Sequence, residues 1–307
     1  MAKALTVIDH DRHFNSLKFS PIILNDLPSE TEEDKRALNK LMISTYNMTD
    51  TLESVPACSC GNLSYGYNLG TMCGLCNTRV ESTTDKSIEA TVWFRAPQGV
   101  RALVNPILWL VLSRPMKVSG FNVLSWFCNP HHEYPPATNK RANALISKLE
   151  KTGIPRGLNS FIDNFELLIP ILASMVTDKG DREVTLQFML MYKDRFFLQN
   201  LPFPLKVAFI MENTATGAYA DQSIGSAIDA ARTITSLDEE TLSNVRRLEG
   251  KITSIVNDLS VYYNHMFGAP FSKKEGWLRH SVFGTRMSWA WRSVITSGGT
   301  NGISTYD

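Results

Sequence analysis

An α+β fold is predicted, with a small zinc-binding segment ahead of a largely helical body that ends in an antiparallel coiled-coil hairpin. Three observations carry this. Four of the five cysteines fall within the nineteen residues Cys58 to Cys76. Short β-like runs are confined mostly to the first hundred residues, and apolar positions recur with helical spacing after them. The last third holds a run of seven apolar residues that alternate three and four apart.

The cysteines are spaced C-x-C-x12-C-x2-C, as Cys58, Cys60, Cys73 and Cys76. Each half lets two thiolates converge on one ion, and tetrahedral zinc takes four such ligands. The alternative is a pair of disulfides. It is disfavoured because Cys58 and Cys60 are too close in sequence to bridge easily, and a chain of 307 residues has no need of staples. With four sulfurs no position is left for water, so the expected metal is structural Zn2+ holding a segment that cannot fold alone.

The chain is 43% hydrophobic and 20% charged, as a globular protein is, and its length suits about two domains. The net charge of +1 hides an asymmetry. Asp26 to Ala57 carries seven acids against three bases, whereas Lys273 to Arg292 carries five bases and one acid. The basic end is the one suited to phosphate. Met1-Ala2-Lys3 runs into charged Asp9-His10-Asp11-Arg12, so a secretory leader is not expected. The longest apolar run, Ala102 to Leu112, is broken by Asn105-Pro106 and is too short to span a bilayer. A soluble protein in a reducing compartment, with no membrane partner, is expected.

Three regions follow: 1–99, 100–204 and 205–307. In the first, strands are expected near Leu5 to Ile8 and Pro21 to Leu24. A helix follows Ser29, where Ser29-Glu-Thr-Glu32 has capping-box spacing, with a stripe of Leu38, Leu41, Met42 and Tyr46. Ile88 to Phe94 reads as β, with Trp93 and Phe94 as core aromatics, and Val100 to Leu112 reads as helix. Cys128-Asn-Pro-His131-His132 is not taken as a metal site, because adjacent imidazoles in a proline-flanked loop do not readily meet one ion. Lys140 to Val176 reads as helix broken at Gly153-Ile-Pro155, and Val184 to Met191 suits either strand or helix.

In the last region Asp221 can cap a helix with the stripe Ile224, Ala227, Ala231 and Ile234. Ser236-Leu-Asp-Glu239 has capping-box spacing, and Val245, Leu248, Ile252, Ile255, Leu259, Tyr262 and Met266 form the seam of a second helix. An antiparallel hairpin results, or else a helical pair packed in a core. Arg246, Arg247, Glu249, Lys251 and Asp258 occupy its outer positions and predict one wet face. Lys273 to Ile295 then interleaves bases with glycine and three tryptophans, a composition suited to a phosphate backbone as well as to a solvated basic face.

The order of these features resembles the largest (beta-prime) subunit of bacterial-type RNA polymerases. The cysteine segment, followed by Arg79-Val80, is similar to its N-terminal zinc-binding domain. Lys274, Gly276, Arg279, Gly284, Arg286, Arg292, Ser293, Val294 and Ile295 stand in register with its switch 2 segment, without a gap. The resemblance implies clamp helices for the hairpin, a lid at Glu212 to Ala220 and a rudder at Gly268 to Ser272. It also implies that Lys274, Arg279, Arg286 and Arg292 contact template DNA and the RNA–DNA hybrid. The middle block, 113–204, does not align.

Departures narrow the reading. Thr285 stands where the family has lysine and Ser288 where it has aspartate, while Trp289 and Trp291 replace smaller or phenolic residues. The aspartate loop that holds catalytic Mg2+ in the family has no counterpart among these 307 residues, so no catalytic residue is assigned here. A beta-prime subunit divided ahead of that loop resembles those of giant (phiKZ-related) bacteriophages. The implied protein is the N-terminal half of a split beta-prime subunit of a DNA-directed RNA polymerase, a nucleotidyltransferase whose Mg2+ is bound by a partner chain. Its expected partners are a C-terminal beta-prime-like chain, beta-like chains, template and hybrid, with a promoter-recognition factor at the 221–266 hairpin. Its expected place is the cytoplasm of the infected bacterial host, or the virion. The alternatives are a stand-alone zinc-containing nucleic-acid-binding regulator and a virion structural protein.

Overall fold

The computed structural model describes residues 7–47, 56–58, 60, 62–81, 90–174, 179–205, 209–214, 217–220 and 222–271. Residues 1–264 form one compact unit of mixed helix and small sheets, as an α+β fold requires. Residues 265–307 form a second, of which only the end of the last helix is described.

The N-terminal region opens with α1 (His10–Asn15), β1 (Ile22–Ile23), α2 (Glu32–Met42) and β2 (Ser44–Asn47), and resumes at β3 (Val92–Arg95). The capping box of α2 lies two residues beyond the one expected. The Thr31 hydroxyl accepts from Asp34 N at 3.1 Å, and Asp34 accepts from Thr31 N at 2.9 Å. Ser29 is otherwise engaged, its hydroxyl donating to the carbonyl of Thr235 at 2.7 Å. Leu38 and Met42 are buried as expected, but Tyr46 belongs to β2, because α2 ends at Met42. Of the expected strand at Pro21 to Leu24, only β1 forms, and Leu24 starts a 3-10 turn. Of the strand expected near Leu5 to Ile8, Leu5 and Thr6 lie outside the described residues, and Val7 and Ile8 are not in a strand.

Next come β4 (Leu103–Val104), α3 (Pro106–Met116), β5 (Lys117–Val118), β6 (Phe121–Asn122), α4 (Val123–Cys128) and α5 (Lys140–Glu150). The helix expected from Val100 begins only at Pro106. Proline disfavours helix in the residue before it and suits the first helical position. Buried Asn105 therefore becomes the cap, accepting from Ile107 N and Leu108 N at 3.0 and 3.4 Å, and Leu103–Val104 pair as strand instead. The helices α6 (Leu158–Asp163), α7 (Phe165–Ala173), α8 (Lys179–Met191) and α9 (Lys193–Phe196) follow, with the break at Gly153–Pro155 where it was expected. Val184 to Met191 is helix.

The chain closes through β7 (Phe197–Leu198), β8 (Asn200–Pro202), β9 (Ile210–Thr214), β10 (Gly217–Ala220), α10 (Gln222–Thr235), α11 (Glu239–Ser243) and α12 (Val245–Phe271). One sheet has the order β1-β3-β8, with β1 parallel and β8 antiparallel to β3. Another has the order β10-β9-β2, so strands from both ends of the chain share it. Asp11 ties α1 to β8, its carboxylate accepting from the N–H groups of Gln199 and Asn200 at 2.8 and 2.7 Å. Trp93 and Phe94 are wholly buried.

The stripe of α10 is buried as the periodicity predicts, at Ile224, Ala227, Ala231 and Ile234; on α12 Leu248, Ile252, Ile255, Leu259 and Tyr262 are buried, but Val245 and Met266, the two ends of the expected seam, are exposed. The buried stripes of both helices belong to a core that also takes in α3, α4, α5, α6 and α7. Polar ties inside it fix α12. Trp109 Nε1 and the Ser125 hydroxyl donate to Asn257 Oδ1 at 2.9 and 3.1 Å, and the Ser260 hydroxyl donates to the carbonyl of Pro106 at 2.9 Å. Further details differ from expectation. Ser236 does not cap a helix, since its hydroxyl donates back to Thr233 O, and Asp238 caps α11 by accepting from Thr241 N at 2.9 Å. The link between α10 and α12 consequently contains a short helix rather than one or two residues. Glu249, expected on the wet face, is only 5% exposed, and Asp258, expected there too, is half-buried. Arg246, Arg247 and Lys251 are exposed as expected. Asp221 lies outside the described residues.

Candidate metal centre

The cysteine segment is built from two tight turns. In the first, Cys58 N donates to Leu63 O at 2.9 Å, next to the bridge between Ala57 and Ser64. In the second, Cys73 N donates to Thr78 O at 3.0 Å and Asn77 N to Cys73 O at 2.9 Å, next to the bridge between Met72 and Arg79. A further bridge, Ala57 to Glu81, joins them. Asn77 sits at φ 50°, a left-handed position that asparagine tolerates better than most side chains. That turn brings the chain back so that the second cysteine pair faces the first.

The four Sγ atoms all lie within 4.8 Å of one another. Cys58 Sγ is 3.5 Å from Cys60 Sγ, and Cys60 Sγ is 3.8 Å from Cys73 Sγ. A tetrahedral zinc–thiolate site with bonds of about 2.3 Å has sulfurs about 3.8 Å apart. The residues fit the group: four sulfurs at that separation, none of them in a disulfide, can hold a metal ion such as zinc. Cys58 and Cys73 are buried, Cys76 is half-buried and Cys60 is exposed.

Main-chain and hydroxyl donors surround the sulfurs. Leu63 N donates to Cys58 Sγ at 3.2 Å, and Thr78 Oγ1 lies 3.0 Å from Cys76 Sγ. Donation from the Thr78 hydroxyl, and then from the Cys60 N–H, brings the Cys76 thiol down to about 5. Burial pushes the Cys58 thiol up, but the Leu63 N–H and the thiols of Cys60 and Cys73 outweigh it and the net shift is downward. Cys60 moves the opposite way. The Asn62 N–H pulls it down, yet burial and the other three thiols together push it up to about 12. The opposed shifts of Cys60 and Cys76 express one fact: sulfurs this close cannot all be charged without a cation among them.

The fifth cysteine takes no part. Cys128 is wholly buried on α4, its thiol pushed well up by burial and further by the charge of Glu249, while His131 is exposed. No other group of three or more metal-ligating side chains occurs among the described residues. The nucleic-acid-contacting residues expected from the sequence, Lys274, Arg279, Arg286 and Arg292, lie outside the described residues. The expected lid, Glu212 to Ala220, falls on the antiparallel pair β9–β10. Of the expected rudder, Gly268 to Phe271 are still helical as the end of α12, and Ser272 is outside the described residues. The residues around the four sulfurs that spacing alone did not single out are Leu63, Asn77 and Thr78. The asparagine directly after C-x2-C, at a place where a turn needs positive φ, was the available signal. Among the described residues no helix is long and apolar enough to cross a membrane. Compared with known proteins, the chain matches no family model and no curated protein.

Proposed function

We propose that this chain is the N-terminal half of a split beta-prime-like subunit of a multisubunit DNA-directed RNA polymerase, of the kind giant bacteriophages encode. The observation that carries the reading is one of order. A four-sulfur site able to take a structural Zn2+ comes first, and the segment Lys274 to Ile295, in register with the family's switch 2, comes last. Between them stand β9–β10 in the place of a lid and α10 to α12 in the place of clamp helices. In this chain the apolar side of that helical pair is held against the body, and Arg246, Arg247 and Lys251 stay exposed for a promoter-recognition factor.

The chain's work is positional. Lys274, Arg279, Arg286 and Arg292 hold template strand and hybrid through their phosphates, and arginine suits this through its bidentate geometry. Bond-making belongs to the assembled enzyme, whose Mg2+ is held by carboxylates of a C-terminal beta-prime-like chain, with beta-like chains completing the channel. The enzyme acts in the infected host cell or from the virion.

Affinity purification of the tagged chain from its native context tests this, with mass spectrometry and template-dependent nucleotide incorporation on the eluate. Recovery of a chain bearing the aspartate loop, together with RNA synthesis, is expected. Recovery of the protein alone, or with capsid components and no synthesis, overturns the reading. Within the assembled complex, Arg279→Ala and Arg292→Ala are each expected to lower transcription about tenfold, the scale of one lost charged hydrogen bond, with assembly intact. Unchanged synthesis by both variants removes the switch assignment.

A further inference from the structure

We infer that Thr78 is a positioning residue of the metal site, its hydroxyl donating to the Cys76 sulfur so that this thiolate is held in place for the ion. The inference rests on the zinc reading of the cluster and adds a residue that cysteine spacing does not contain. Its basis is geometric. Thr78 Oγ1 lies 3.0 Å from Cys76 Sγ, close for a hydroxyl meeting a sulfur. The hydroxyl is aimed there by a main chain fixed on both sides: the Thr78 carbonyl accepts from Cys73 N at 3.0 Å, and Asn77 just before it holds the left-handed turn at φ 50°. A β-branched side chain has few rotamers, so a fixed backbone also fixes the hydroxyl.

Two of the other sulfurs are supported by main-chain groups, which a change of side chain other than to proline leaves in place. Cys58 Sγ accepts from the Leu63 main chain at 3.2 Å, and Cys60 from that of Asn62. Cys76 also receives the main-chain N–H groups of Cys60 and Thr78, but among the described residues it alone has a side-chain hydroxyl as donor. Metal ligands depend on such outer partners for orientation, and their loss typically lowers affinity about 10–100-fold. Because Cys76 is half-buried, water cannot freely replace the lost donor.

The test uses the full chain in three forms, wild type, Thr78→Val and Thr78→Ser, in zinc competition against a chromogenic chelator. Valine keeps the branched shape without the donor, and serine keeps the donor without the methyl. The expected result is zinc affinity about 10–100-fold lower in Thr78→Val and close to wild type in Thr78→Ser. With cobalt in place of zinc, the thiolate-to-metal absorption band is expected to change in the valine form only. Equal affinity of wild type and Thr78→Val overturns the inference alone, as does Thr78→Ser binding as weakly as Thr78→Val. A wild-type chain that takes up no zinc overturns both the inference and the metal reading beneath it. Should Thr78→Val fail to fold, Thr78→Ala against Thr78→Ser makes the same comparison.

Discussion

Cys73→Ser is expected to abolish stoichiometric zinc binding and to unravel residues 56–81 while the core around α3, α4 and α12 stays folded. The segment has almost no apolar interior of its own. Its apolar cluster is Cys58, Cys73 and Val80, with Leu63 and Cys76 packed partly against them. Tyr67, Leu69, Met72 and Leu75 point outward, each more than half exposed. Burial of a few small side chains contributes about 1.5–3 kcal/mol apiece at most. Structural zinc in comparable small sites supplies about 10–16 kcal/mol. The metal therefore decides whether the segment folds. A serine oxygen is no substitute, being a harder ligand that keeps its proton at neutral pH.

Hydrogen exchange reads this locally. In the wild-type chain with zinc, the amides of Cys58, Cys73 and Val80 should be protected, since they donate to the carbonyls of Leu63, Thr78 and Thr71. In Cys73→Ser, or after chelation, these three should exchange freely. The amide of Trp109, bonded to Asn105 O at 2.8 Å, should keep its protection. Equal protection in both forms would show that the segment folds without its metal.

Why this site was legible in the sequence and much of the fold was not comes down to distance along the chain. Cys58 to Cys76 is a local pattern, and local patterns survive being read one residue at a time. The stripes of α10 and α12 were legible for the same reason, since one helix fixes its own period. Caps were less so: Ser29 and Ser236 had the right spacing, but each spends its hydroxyl on a carbonyl, Thr235 O and Thr233 O, and Thr31 and Asp238 do the capping. The β1-β3-β8 sheet was out of reach, because its register joins Trp93 to Pro202 across more than a hundred residues. The burial of Glu249 could not be read either. By period it belongs to an outer face of α12, and the approach of Gly157 and Asn159 at the start of α6 covers it.

That approach makes the Gly157–Glu249 contact a point where even a single added methyl should be costly. Gly157 stands at the N-terminus of α6 with φ 150° and ψ 156°, a region that essentially only glycine occupies. It supplies no side-chain cap. Glu249, from α12, does so instead, accepting from Asn159 N at 2.8 Å. A Cβ at position 157 would lie 2.7 Å from Glu249 Oε2 and 3.1 Å from Oε1, so the carboxylate would have to shift, and with it the Oε1 that accepts from Asn159 N. Gly157→Ala is therefore expected to lower stability by about 3 kcal/mol or more, from backbone strain and a lost buried hydrogen bond together. The midpoint of urea unfolding reads it. In Gly157→Ala/Glu249→Ala the clash is gone, so the combined loss should fall short of the sum of the single losses. Additive losses would show that the two residues do not compete for the same space.

Glu249 also predicts a pH dependence. Burial raises its carboxyl above the usual carboxylate range, against the Asn159 N–H and the charge of Arg246, which lower it. The folded chain thus holds this proton to higher pH than the unfolded chain does. Between the two pKa values the folded state binds more protons, and stability falls as pH rises from about 4.5 through the folded value. Glu249→Gln keeps the shape and an oxygen able to accept from Asn159 but has no proton to lose. Its stability relative to wild type should therefore increase as pH rises through that window and level off above it. A stability difference that does not change with pH would mean that the carboxyl has the same pKa folded and unfolded, and that its burial on α12 costs the charge nothing.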